Sequence, residues 1–253
     1  MEHQFTSPAP QTLDGWFALH DFRIIDWQRW KGLSSDEKRT AMRELSMLNQ
    51  GFSEDESVNK AGFGMFAVVG HKADLLFLHF RPSVEELIEA KYRLNQTRFA
   101  DFLSSPYSYF SVVELSSHLA KPGVDPLENP ATRERLQPKV PAADFVCFYP
   151  MNKKRVHHDN WYTLSEEERR EYLMAHGTIG RTYAGRVKQI ITGSMGLDDW
   201  EWGVTLFADD PLQFKKLVYE MRFDEGSARF GEFGPFLVGE RIKDSNLSRL
   251  LRA

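Results

Sequence analysis

The segment Tyr149-Pro150-Met151-Asn152-Lys153-Lys154-Arg155 sets an oxidisable phenol beside fixed positive charge. Further along, a helical stretch reaches His176-Gly177, where one imidazole is suited to binding a metal. An anionic iron porphyrin would use all three: imidazole for the iron, cations for the carboxylates, and a phenol able to release an electron and a proton. No second ligand stands near His176 at metal-site spacing, and His157-His158 are sequence neighbours whose side chains diverge into solvent. One protein ligand is what haem iron needs and what zinc does not accept. Without Cys-x-x-Cys-His, any haem is bound noncovalently. Gly177 and Gly180 follow the histidine, and small residues there let a flat ligand approach the helix.

Each of these residues also has a plainer reading. A lone histidine is often structural, a strand-end tyrosine packs its ring and wets its hydroxyl, and single arginines and lysines are usually solvated. Arg133, Arg135, Lys153, Arg181 and Arg222 are the candidates for carboxylate contacts. Arginine binds a carboxylate through two N–H groups, and lysine offers a point charge that can also pass a proton. Met151 alternates with Tyr149 and shares its strand face. Trp161 and Trp202 border a pocket or simply fill the core.

These residues sit in a chain of 253 residues with 42% hydrophobic and 27% charged content, ordinary for a globular protein. A net charge of -4 argues against a nucleic-acid binder, which needs a broad basic surface. The single cysteine, Cys147, excludes an internal disulfide and reads as a core residue in Phe145-Val146-Cys147-Phe148. Met1-Glu2-His3-Gln4-Phe5 lacks the features of a signal peptide, and no apolar run approaches the roughly 20 residues of a membrane span. The expected location is the cytoplasm, with no membrane partner.

The positioning elements repeat. The first half reads as a strand at 15–22, a helix opened by Ser34 and Glu37 in capping-box spacing, strands at 65–70 and 74–80, a helix from Pro82-Ser83, and a strand at 107–115. The second half reads as a strand at 144–151, a helix capped by Ser165 and Glu168, strands at 187–192 and 200–207, a helix at 212–221 and a strand at 233–241. The order β-α-β-β-α-β occurs twice, which predicts an α+β fold of two ferredoxin-like units whose antiparallel sheets form a barrel-like core. The halves span 1–120, without haem, and 142–253, which carries the candidate site. Prolines 122, 126, 130, 138 and 141 predict an irregular connector over 121–141.

From about Gly15 to Ile242, and most densely between Arg133 and Phe236, the chain resembles the coproheme decarboxylases of the chlorite dismutase-like family. The resemblance implies that His176 is the axial iron ligand and Tyr149 the catalytic tyrosine. It also implies that Arg135, Tyr149, Pro150, Met151, Asn152, Lys153 and Ser227 contact the porphyrin, with Arg181 and Arg222 as further contacts and Lys153 as a proton donor or acceptor. Gln189 would overlook the open face of the iron, where chlorite dismutases carry arginine. The implied activity is hydrogen-peroxide-dependent conversion of two propionates of Fe-coproporphyrin III to vinyl groups. The product is haem b, reached through a monovinyl tripropionate, and the porphyrin is substrate and redox cofactor together. The competing expectations are a chlorite dismutase or peroxidase-like enzyme and a haem carrier or sensor without turnover. Relatives form homopentamers, so a pentamer is expected, with a ferrochelatase as a possible transient partner.

Overall fold

The structure is a computed structural model that describes residues 9–116, 125–243 and 245–247. In chain order the elements of the first half are β1 (Thr12–Ile25), α1 (Trp27–Gly32), α2 (Ser35–Ser57), β2 (Gly62–Val68), β3 (Leu75–Arg81), α3 (Val84–Asn95) and β4 (Leu103–Ser116). After α4 (Pro130–Leu136) come β5 (Phe145–Lys153), the short pair β6 (Arg155–Val156) and β7 (Asp159–Asn160), and α5 (Glu166–Thr182). The chain continues through β8 (Lys188–Gly193), β9 (Trp202–Ala208), α6 (Leu212–Met221), α7 (Glu225–Phe230), β10 (Gly231–Phe233) and β11 (Leu237–Arg241).

Nine strands form one antiparallel sheet in the order β10-β5-β11-β2-β3-β1-β4-β8-β9, and pairing of β5 with β9 brings the ends together into a barrel-like ring. The expected α+β architecture of two related halves is therefore present. Inside the ring, alternate residues from both halves interdigitate: Phe22, Phe66, Phe80, Tyr109, Phe148 and Phe207 are all buried there. Period-two alternation drives this arrangement, because burying one aromatic side chain contributes about 1.5–3 kcal/mol.

Two expectations need correction. The connector is not irregular throughout: Asn129 accepts hydrogen bonds from the amides of Ala131 and Thr132 and, with Pro130 in the first turn, starts α4. The expected strand at 233–241 is two strands, β10 and β11, broken at Gly234. A side chain at Gly234 would run into Pro150 and Trp200, at 2.7 and 2.9 Å. Pro150 lies between the stretches of β5 paired with β11 and with β10, so its missing N–H costs no ladder hydrogen bond.

The helices α2 and α5 show how the halves diverge. Both begin with a complete capping box, Ser34 with Glu37 and Ser165 with Glu168, which fixes the same starting point for each. From that start α2 turns Ala41, Met42, Leu45, Leu48 and Phe52 inward against β2 and buries them. By contrast, α5 rests on α6 and α7 and buries no residue along its 17 positions. A helix of that length gains most of its stability from an apolar face packed on something. Among the described residues, nothing covers the face of α5 well enough to bury one of its side chains.

Candidate functional site

Counting from the two capping serines, His176 of α5 takes the position that the fully buried Leu45 takes in α2. His176 is half-buried, and its Nδ1 lies 3.1 Å from Oδ2 of Asp224 and 3.2 Å from Oγ of Ser227. A carboxylate only accepts, so Nδ1 donates, and in the neutral ring Nε2 is the nitrogen that keeps its lone pair. Asp224 is buried and caps α7, accepting from both the amide and the hydroxyl of Ser227 at 3.0 Å. A short helix thus fixes the carboxylate that fixes the imidazole. That is the arrangement by which proteins orient a histidine for a metal. Among the described residues no group of three or more His, Cys, Asp or Glu side chains comes together as a metal cage, so a metal here needs its other ligands from elsewhere.

Strand β5 supplies the rest. Cys147, Tyr149 and Met151 alternate onto one face and pack with Val204, Leu206, Phe214 and Leu217. The Cys147 thiol is buried, as the sequence predicts, and burial pushes its pKa up to about 12. Tyr149 is 9% exposed, its ring stacked on Phe236 at 4.4 Å and tilted to Phe233 at 5.9 Å. Burial raises its pKa far above the usual phenol range, the neighbouring Cys147 adds to the rise, and Arg222 opposes it. The phenol therefore keeps its proton at neutral pH. Arg222 is exposed, and its guanidinium lies 3.8 Å from the centre of the Phe233 ring, a cation–π contact.

One alternation further, Lys153 is partly buried with its ammonium 4.4 Å from the centre of the Trp161 ring. Burial lowers its pKa, while the carboxylates of Asp224 and Glu201 oppose that fall. Glu201 also accepts from the Lys153 amide at 2.7 Å. Trp161 is buried against Phe230 and Tyr172. Asn152 accepts from the Glu201 amide at 2.9 Å and donates to Glu232 at 3.3 Å, so its side chain ties β5 to its neighbours.

The structure therefore joins His176 and Ser227 through Asp224, whose charge also acts on Lys153, and it places Tyr149 and Met151 on one face with Arg222 nearby. Ser227 uses its hydroxyl on Asp224 and His176. Arg181 and Gln189 are exposed, on the last turn of α5 and on β8; Arg181 donates to Thr178 at 2.8 Å. Arg133 and Arg135 are exposed on α4, which packs on β1 and β4; no hydrogen bond or ion pair among the described residues ties them to the other candidates. His157 and His158 are exposed, as expected. Trp202 turns away from this cluster to donate to Glu114 at 3.1 Å. A methyl group added at Gly177 or Gly180 would meet only ordinary contacts, Arg181 and Met221 at 3.5 Å, so the protein's own packing does not demand glycine at either position. Asp224 and Glu201 escape a sequence reading, since nothing in their spacing links them to positions 176 and 153.

Comparison with known proteins adds three findings. The chlorite dismutase family model matches residues 34–242. A haem-binding protein from Thermus thermophilus is 50% identical, with 99% of this chain and 100% of that chain covered and a TM-score of 0.92. Two single-residue variants of chlorite dismutase from Candidatus Nitrospira defluvii share the fold at 18% and 19% identity, covering 95% of each chain with TM-scores of 0.71 and 0.73.

Proposed function

This chain belongs to the chlorite dismutase family, and from that premise we propose that it decarboxylates Fe-coproporphyrin III with hydrogen peroxide, giving haem b. The observation that carries the reading is that one half of the chain holds both an oriented imidazole at His176, on a helix that the described residues leave without a buried position, and a buried phenol at Tyr149. The residues fit an iron porphyrin. His176 has Nδ1 held by Asp224 and an Nε2 that no hydrogen bond among the described residues occupies, the described residues bury no side chain of α5, and Lys153 is a partly buried cation with a lowered pKa. The haem-binding relative at 50% identity supports the same ligand class.

When bound, the porphyrin iron supplies the peroxide-dependent oxidation. The protein holds, orients and supplies hydrogen. Lys153 and Arg222 flank Tyr149 and Met151 as partners for propionate carboxylates, with Arg181 and Arg135 as outer contacts. Tyr149 gives up its phenolic hydrogen and, as a radical, takes one from a propionate β-carbon. Loss of CO2 and a second electron then leaves a vinyl group. Each propionate yields two electrons, and one peroxide accepts them with two protons to form two waters. Lys153 exchanges a proton at the carboxylate, a role supported by the burial that weakens its hold on its own proton. Gln189 offers an amide and no charge, which suits a neutral oxidant such as peroxide better than an anionic one such as chlorite. A homopentamer, a cytoplasmic location and transient contact with a ferrochelatase complete the proposal. No helix among the described residues is long and apolar enough to cross a membrane.

The test is mass spectrometry of the porphyrin after the purified protein meets coproheme and peroxide. Two successive losses of carbon dioxide with two hydrogens are expected. Unchanged porphyrin would make the protein a carrier, and oxygen release from chlorite would make it a dismutase.

A further inference from the structure

A cavity of about 130 Å³ lies in the first half, far along the chain from His176 and Tyr149, and its chemistry is independent of any porphyrin. It is lined by Lys60, Arg81 and Arg93 with Asp55, Glu86 and Glu89. Arg81, the last residue of β3, is 3% exposed, and neither of its terminal nitrogens has a hydrogen-bond partner. Asp55 Oδ2 is 3.9 Å from one of them, beyond hydrogen-bonding reach, and is shared with Arg93 at 3.5 Å. The flat face of Phe52 sits beneath both guanidinium groups, at 4.5 Å from Arg93 and 5.4 Å from Arg81.

A buried charge without hydrogen bonds is costly, and such groups in folded proteins are nearly always satisfied. The fold itself does not require the cation: the strand in the matching place of the second half, β9, also runs seven residues and ends in buried Ala208. The guanidinium is instead suited to an absent acceptor. We infer that this cavity binds a small carboxylate, which Arg81 and Arg93 grip while Lys60 adds charge. A planar carboxylate matches the two parallel N–H groups of a guanidinium, and it carries one negative charge, tolerable beside Asp55, Glu86 and Glu89. A tetrahedral dianion would face those three acids with twice the charge. The volume is ample for several waters, hence for a molecule of a few heavy atoms. Two kinds of molecule present this chemistry, a simple organic acid and a zwitterionic amino acid, whose ammonium would face Glu86 and Glu89.

Calorimetric titration of the whole chain with acetate, glycine and inorganic phosphate, at ionic strength held constant with chloride, tests this. Saturable binding of acetate or glycine is expected, weakened about tenfold or more in Arg81→Leu and in Arg93→Gln. Tighter glycine binding assigns the natural ligand to amino acids, and tighter acetate binding to simple acids. Should Arg81→Leu fail to fold, Arg93→Gln decides, because that side chain is 39% exposed. No saturable binding, binding undiminished in the foldable variants, or phosphate binding in place of both carboxylates would overturn the inference.

Discussion

Asp224 meets His176 at 3.1 Å, Oδ2 to Nδ1, and no hydrogen bond among the described residues occupies the far nitrogen of that ring. A carboxylate so placed selects the tautomer and is the usual support of a histidine that ligates a metal. Asp224→Asn keeps a cap for the Ser227 amide, so the fold should survive. Porphyrin affinity should nevertheless fall by about 10–100-fold, the usual effect of losing such a partner. Absorbance titration with coproheme measures this, and a shift in the iron–imidazole stretching frequency should accompany it. Unchanged affinity and frequency would remove Asp224 from the site.

Tyr149→Phe retains the ring that stacks on Phe236 at 4.4 Å and deletes only the hydroxyl. Coproheme should bind with little change in affinity, while product formation drops to the uncatalysed background. Conversion at the normal rate by this variant would eliminate the phenol as the hydrogen-abstracting group.

Lys153 carries a pH signature. Its pKa is lowered by burial, with Asp224 and Glu201 opposing, so its positive charge disappears at lower pH than for an ordinary lysine. Protonated and buried, it costs stability, and that cost is relieved as pH rises through its folded pKa towards the unfolded value near 10.4. Affinity for the tetra-acidic porphyrin should decline over the same alkaline range. Lys153→Arg should abolish that decline, and Lys153→Met should weaken binding about tenfold at neutral pH, the effect of losing a charge-assisted hydrogen bond. Parallel pH profiles for the wild type and the arginine variant would show that some other group titrates.

His20 governs stability on the acid side. Fully buried, with Nε2 2.8 Å from the Thr205 hydroxyl, it has a pKa lowered to about 3 by burial, partly offset by the neighbouring Tyr109 backbone. The unfolded chain binds this proton near pH 6.5 and the folded chain does not, so stability falls as pH drops from about 6.5 towards 3. At about 1.36 kcal/mol per unit the loss reaches at most about 5 kcal/mol. Urea midpoints between about pH 4 and 7 should show this slope, and His20→Gln should flatten it. An equal slope in the variant would assign the acid limb to carboxylates.

The fold was largely legible because alternation and capping are local. Ser34 with Glu37 and Ser165 with Glu168 announce their helices within four residues, and the structure shows both boxes complete. What escaped depends on contacts distant in sequence. The break at Gly234 exists because Trp200 and Pro150 crowd that point, and α4 forms although prolines surround it. The same holds in the site. His176 and Tyr149 stand out by residue type, yet Asp224 lies 48 positions beyond the histidine it orients, and Glu201 lies 48 beyond Lys153.

The contrast between α2 and α5 has a consequence for motion. A helix anchored by Met42, Leu45, Leu48 and Phe52 opens only when the first half unfolds. One with no fully buried side chain opens locally, so its amide protons should exchange with deuterated solvent early while those of α2 remain protected. Adding porphyrin should slow exchange across 166–182 and leave 35–57 unaltered, which makes the second helix a reporter of occupancy that can be read without any turnover.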